Sequence, residues 1–390
     1  MAPPDGTSHG AGASPFVYRR EMPAGAIWPI AAGPAVHHCF EPLGRYIARA
    51  LLDESSHMAS TQFDVLGIGN AIVDVIARTD EGFLAQHKMR KGTMQLIDEA
   101  QAARLYDAMG PAVEVSGGSA ANTIVGVASL GARAAFIGKV KDDELGQVFA
   151  HDIRAAGVAF STPPASAGPS TARCYVLVTP DGERTMNTYL GAAQDLHPND
   201  IEADAIAAAQ IIYLEGYLWD PPRAKEAFLK AAKIAHDAGR DVALTLSDAF
   251  CVDRYRTEFL ELIRAGTVDL VFANERELHS LYETADFDTA LQALRKDARL
   301  AVVTRSEKGC LVVTREQTEA VPASPVERVV DATGAGDLFA AGFLAGISRG
   351  ADYRTAAHLA ALVAAEVIQH LGARPETSLK TLAQDNGFDL

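Results

Sequence analysis

The stretch Asp331-Ala-Thr-Gly-Ala-Gly-Asp337-Leu-Phe-Ala-Ala-Gly-Phe343 joins a glycine-rich turn, an acidic residue and a helix start within a few positions. Gly334 and Gly336 permit backbone conformations closed to residues with a Cβ, so successive N–H groups can converge on one point at the positive end of a helix dipole. Such a point suits a phosphate. Asp337 stands at the mouth of the same helix, where a carboxylate could take a proton from a hydroxyl while the amides of Gly334, Ala335 and Gly336 hold the group under attack. Aspartate is also a preferred helix N-cap, so the four residues Gly334 to Asp337 taken alone fit a plain turn equally well.

Other stretches carry chemistry-bearing residues at the starts of elements. Asp74 lies in Ala-Ile-Val-Asp-Val-Ile, an acid enclosed by apolar residues, and burying it is costly unless a backbone amide or a ligand satisfies it. Gly117-Gly118-Ser119-Ala-Ala-Asn122-Thr123 opens a helix and offers close backbone approach, although it also reads as an ordinary helix start. Phe272-Ala-Asn274-Glu275-Arg-Glu277 follows a strand and begins a helix, where acids are commonplace. Gly67-Ile-Gly69 fails as a dinucleotide fingerprint because Ile72 holds the third glycine position, and no G-x-x-x-x-G-K-[ST] occurs. Phosphate chemistry therefore falls to Gly334–Gly336.

The elements that position these residues alternate. Strands are expected at Phe63–Ile68, Ala134–Ile137, Ile211–Leu214, Val242–Leu246, Val268–Phe272 and Leu300–Thr304. Helices are expected at Ala120–Leu130, Asp143–Ala156 and Pro222–Asp237, the first two each followed by a terminating glycine, Gly131 and Gly157. That rhythm predicts an α/β fold with a mostly parallel sheet and helices on both faces. Arg173–Thr179 and Arg184–Tyr189 flank Pro180-Asp-Gly-Glu183 and read as a β-hairpin that projects from the sheet. Ala356–Leu371 reads as a core helix, since His358, Glu366 and His370 interrupt it.

The 390 residues suffice for one large α/β domain with an appendage. A formal charge of −15 disfavours nucleic acid and anionic membranes as partners, because both need a basic face. Cys39, Cys174, Cys251 and Cys310 form no C-x-x-C pair, the eleven histidines show no ligand spacing, and a reducing cytoplasm fits. Seven of the 18 prolines precede Phe63, in a stretch without helix or strand periodicity. Residues 1–61 are therefore expected to be a disordered extension, with Met58 as the expected true start, and 62–390 the folded domain.

The string D-A-T-G-A-G-D with its alanine- and glycine-rich helix resembles the C-terminal signature of the ribokinase-like (PfkB) carbohydrate kinase family. Gly117–Thr123, continuing through Gly138 and Asp142 to Gly146, resembles the family's first signature, and Gly69, Asn70 and Asp74 match its G-N-x-x-x-D. The resemblance covers the chain from about Phe63 onward. It implies a three-layer α/β/α fold with a small β-lid from segments near 79–98 and 172–190. It further implies ATP and Mg²⁺, with Asp337 as general base and the Gly334–Gly336 amides as anion hole. Asn70, Asp74, Gly117, Gly118 and Asn122 would meet the sugar, both Asp74 oxygens accepting from neighbouring hydroxyls. Asn274 and Glu277 would organise water around Mg²⁺. Thr304, Gly309 and Thr333 would lie along the nucleotide, Ser306 standing where the family usually has glycine. Asp331 and Thr333 occupy positions of a monovalent-cation (K⁺) site in some relatives, or make a plain turn. Arg184 would reach phosphates from the lid or lie solvated on the surface.

Ser116–Asn122, Thr185–Ala193 and Leu246–Phe250 look most like the family's bacterial adenosine kinase branch. The implied activity is transfer of the ATP γ-phosphoryl group to the 5′-hydroxyl of adenosine, in purine salvage, by a monomer or homodimer. A kinase for free ribose or fructose, and a sugar- or nucleoside-binding protein without catalysis, are the rivals. Met94 and Leu96 are lid positions whose contact with a purine is left open.

Overall fold

The computed structural model describes residues 61–389, and the extension and start expected before residue 61 lie outside them. Among the described residues, fourteen strands form two sheets. The larger contains β1 (Phe63–Ile68), β5 (Ala134–Ile137), β6 (Val158–Phe160), β9 (Ala209–Glu215), β10 (Asp241–Thr245), β11 (Leu270–Asn274), β12 (Leu300–Thr304), β13 (Cys310–Thr314) and β14 (Thr318–Val321). Its order is β14-β13-β12-β11-β10-β9-β1-β5-β6, parallel from β12 to β6 and antiparallel only where β13 and β14 join one edge.

Side-chain alternation fills both faces of this sheet. Val65, Phe136 and Val302 enter one apolar core, and their neighbours Leu66, Ile137 and Val303 enter the other. That is why these strands read as continuous apolar runs. Helices cover both faces. The helices Ala335–Ser348 and Ser119–Ser129 lie side by side on one of them, and a Cβ on Gly126 would fall 2.7 Å from both Ala341 and Leu338. Small residues thus bring the two helix starts close together.

The second sheet holds β2 (Ile72–Arg78), β3 (Met94–Leu96), β4 (Ala112–Gly117), β7 (Ala172–Val178) and β8 (Arg184–Tyr189) in the order β3-β8-β7-β2-β4. The expected hairpin is β7 and β8. The strands β2, β3, β4 and β6 lie outside the expected set, and so do the edge strands β13 and β14. The strand expected at Val268 begins at Leu270, because the amides of Thr267 and Val268 close the preceding helix on Leu262. Opposed residues in a sheet face the same side, so Leu96, Thr188, Cys174, Asp74 and Val115 form one cross-strand row. Met94, Met186, Val176, Ile76 and Val113 form the next row on the same face. Asp74 is the acid in an otherwise mostly apolar surface. No helix among the described residues is long and apolar enough to cross a membrane.

Candidate active site

The carboxyl ends of parallel strands are where open α/β sheets bind ligands, and the candidate residues gather there. Asn70 follows β1, Asn274 ends β11 and Thr304 ends β12, with Asn274 and Thr304 directly paired across the two strands. The helix that starts at Ala335 delivers Asp337 in its first turn. Gly334 precedes it at φ 79°, and a Cβ there would lie 2.6 Å from that of Ala373. Glycine is required on both counts. Gly336, by contrast, faces open space.

Asp337 meets the neighbouring helix start. Its Oδ1 accepts from Ser119 Oγ at 2.7 Å and its Oδ2 from Asn122 Nδ2 at 3.1 Å. Burial pushes this carboxyl up to about 6, against the lowering effect of the Ser119 and Asn122 hydrogen bonds and of the Arg374 charge. It is not the helix cap, which is Gly334, and it forms no ion pair among the described residues. Of the three expected anion-hole amides, Ala335 differs from expectation: its N–H donates to Ala332 O at 3.2 Å, closing the turn. Gly334 and Gly336 keep N–H groups without a backbone acceptor among the described residues.

Asp74 faces Gly117 on β4, where any Cβ would collide with the carboxylate. No hydrogen bond from the described residues reaches Asp74, so the backbone-amide alternative is absent. Burial raises its carboxyl to about 6, moderated by the charges of Arg374 and Arg184 and raised further by Asp337. An unsatisfied carboxylate in an apolar face is a ready acceptor for a ligand's hydroxyls. Gly118 caps the Ser119 helix.

Asn70 is engaged inside the protein. Its Nδ2 donates to Glu215 Oε1 at 2.5 Å and its backbone N–H to the same oxygen at 3.3 Å, while Ala120 N donates to Oε2 at 2.8 Å. Glu215 is buried, and burial raises its carboxyl to about 7. Sequence reasoning missed it, although an acid ending the run Ile-Ile-Tyr-Leu-Glu carries the same signal that singled out Asp74. Glu215 fixes the loop after β1 to the start of the Ser119 helix.

At the end of β11, Asn274 caps its helix through Oδ1, accepting from Arg276 N and Glu277 N at 2.9 Å each. Glu277 returns a bond to Asn274 N at 2.9 Å and also accepts from Asn274 Nδ2. Burial raises Glu277 to about 7. The pair is self-satisfied, so it fits Mg²⁺ only through intervening water, and no cluster of metal-ligating side chains occurs among the described residues. Thr304 Oγ1 lies 3.5 Å from Ala273 O. Gly309 closes the turn that follows it. Ser306 adopts φ 51°, the left-handed backbone a glycine would take there.

Asp331 is the site residue whose surroundings argue against its expected ligand. Its Oδ1 accepts from Thr333 N and its Oδ2 from Gly372 N, both at 2.9 Å. Arg184 Nε approaches Oδ2 at 2.9 Å as an ion pair outside hydrogen-bond angles, with the two side chains 8 % and 7 % exposed. Arg184 is therefore a buried counter-ion rather than a surface arginine. Asp331 thus already has a counter-ion where a monovalent cation would supply one.

A cavity of about 580 Å³ lies at the other end of the strands, near Gln210, Asp241 and Asp269. None of the candidate site residues lines it, and Arg299 there is paired with Asp241 and Asp269.

The chain is 56 % identical to a crystal structure of adenosine kinase from Sinorhizobium meliloti, with a TM-score of 0.79, covering 84 % of this chain and all of that one. It is 54 % identical to the structure of a probable sugar kinase from Rhizobium etli, also at a TM-score of 0.79, over 84 % of this chain and 99 % of that one. It is 32 % identical over 238 residues to fructokinase-1 of Oryza sativa subsp. japonica, spanning 60 % of this chain and 73 % of that relative. With the model of the pfkB family carbohydrate kinases matching residues 98–380, and the ribokinase-like sheets and flanking helices in place, this chain belongs to the pfkB family and is a kinase.

Proposed function

We propose that the protein transfers the γ-phosphoryl group of ATP to the 5′-hydroxyl of adenosine. The observation that carries this reading is the single unpaired carboxylate of Asp74 set in the apolar face of the second sheet, with Asp337 at the adjoining helix start. Asp74 accepts from the ribose 2′- and 3′-hydroxyls, and exposed Met94 and Leu96 on the same face offer the base an apolar surface. Held so, the 5′-hydroxyl meets Asp337. Its carboxylate takes the proton as the oxygen attacks, and the free N–H groups of Gly334 and Gly336 stabilise the charge on the transferring group. Asn274 and Glu277 would hold Mg²⁺ through water, and the ion would neutralise phosphate charge. The second sheet is the lid over the acceptor. The adenosine kinase structure from Sinorhizobium meliloti supports the choice of acceptor.

A panel of adenosine, ribose and fructose with ATP, followed by ADP release, tests the assignment. Preference for a free sugar would favour the reading that the rice fructokinase supports. No ADP with any acceptor would favour a binding protein.

Two further outcomes are expected. Because burial raises Asp337 to about 6, its base form dominates above that pH and is lost below it, so kcat should fall about tenfold per unit below pH 6. Rates measured from pH 5 to 9 check this, and a flat acid side would contradict it. Because Arg184 already neutralises Asp331, replacing K⁺ by choline should leave the steady-state rate unchanged. Strong activation by K⁺ would show that Asp331 is not saturated by its arginine.

A further inference from the structure

Arg374 lies in the loop after the last long helix, outside every motif. Its Nη2 donates to Ser116 O at 2.7 Å and to Ser116 Oγ at 3.0 Å, and its Nη1 lies 3.5 Å from Ala121 O. These contacts bracket Gly117–Ala120. Within that bracket Gly117 faces the Asp74 carboxylate, Ser119 donates to Asp337, and Ala120 donates to Glu215. Ser116 N is held from the other side by Asp152 Oδ2 at 2.7 Å. One guanidinium thus grips the segment that touches both functional carboxylates. Its Nε is buried without a hydrogen-bond partner, a costly arrangement that the surrounding negative charge offsets.

We propose that Arg374 is a positioning residue of the kinase site: it clamps residues 116–121 against the acceptor pocket and brings its positive charge to the side of Asp74 and Asp337. The proposal rests on the kinase reading above. The charges facing Arg374 are Asp74 on β2, Asp337 on the Ala335 helix and Asp152 on the Glu144–Ala155 helix. Arg184 on β8 also acts on Asp74, and the charge of Asp337 adds to the upward push on Glu215. For both Asp74 and Asp337, Arg374 is a charge that opposes the upward push of burial.

The test compares the wild-type chain with Arg374→Gln and Arg374→Lys from pH 5 to 9, reading kcat and, by titration calorimetry, adenosine affinity. Removing a nearby opposite charge moves a carboxylate upward by about one unit or more. Arg374→Gln should therefore shift the acid limb of both readouts upward by about one pH unit. Its deficit should be about fivefold at pH 6, approach tenfold at pH 5 and shrink towards pH 9. Arg374→Lys should keep the limb near its wild-type position while losing part of the rate, because lysine retains charge but not the forked contacts. Equal losses at pH 6 and pH 9, or a lysine variant shifted as far as the glutamine variant, would overturn the proposal. Failure of the kinase reading is separately visible as absent ADP formation by the wild type. The affinity profile then still judges the clamp at Asp74.

Discussion

Replacing Asp337 by asparagine is expected to lower kcat by about 10²- to 10⁴-fold while adenosine still binds, the range a general base contributes. Asparagine has the same shape, its Oδ1 can still accept from Ser119 Oγ, and once the Asn122 amide turns over, Asn122 Oδ1 can accept from the new Nδ2, so the helix start should hold. The amide cannot take a proton. Stability offers an internal control whose sign follows from the raised carboxyl. A group whose folded value lies above its unfolded one, here about 6, favours the folded state most at low pH, and that contribution is lost as pH rises through about 6. At pH 8 the wild type therefore carries an ionised, desolvated carboxylate that the variant lacks. The melting temperature of Asp337→Asn should equal or exceed that of the wild type. Unchanged turnover in this variant would remove Asp337 from the chemistry, and a lower melting temperature would assign the loss to folding.

Why Asp337 could be read from the chain and Arg374 could not is a matter of locality. Asp337, Gly334 and Gly336 act through a turn and one helix end, so their chemistry is written in consecutive residues. The main-sheet strands are equally legible, since burial on both faces leaves continuous apolar runs such as Leu300–Thr304. The second sheet is different. Ile72–Arg78 is covered on one side only, and its partners lie at Ala112–Gly117 and Ala172–Val178, far along the chain. Its sequence, Ile-Val-Asp-Val-Ile-Ala-Arg, is apolar but for Asp74 and its last residue, and says neither where the strand begins nor which sheet takes it. Glu215 had a signal, an acid closing an apolar run, whereas Arg374 sits in Leu-Gly-Ala-Arg-Pro-Glu, which reads as surface loop. Only the packing of three distant segments gives it a role. Ala335 shows the reverse limit, because a glycine-flanked amide looks free in sequence until the turn spends it on Ala332.

Substituting Asp74 by alanine should produce a different kinetic signature, with acceptor binding and turnover weakened together and the KM for ATP unchanged. Two hydrogen bonds to a charged acceptor are at stake, each worth about 1.5–3 kcal/mol, so kcat/KM for adenosine should fall on the order of 10²- to 10⁴-fold. Turnover suffers as well as binding because a ribose free to shift also misplaces the 5′-oxygen against Asp337. Folding should not suffer. Asp74 accepts no bond from the described residues, and its removal relieves a carboxylate that burial has raised to about 6. A substrate cycle isolates the contact: 2′-deoxyadenosine should be a poor acceptor for the wild type, yet nearly as good as adenosine for Asp74→Ala, since the partner of the missing hydroxyl is already gone. If the variant still discriminates against the deoxy substrate by the wild-type factor, the diol is bound elsewhere. The carboxylate in the apolar face would then be only a charge held near Arg374.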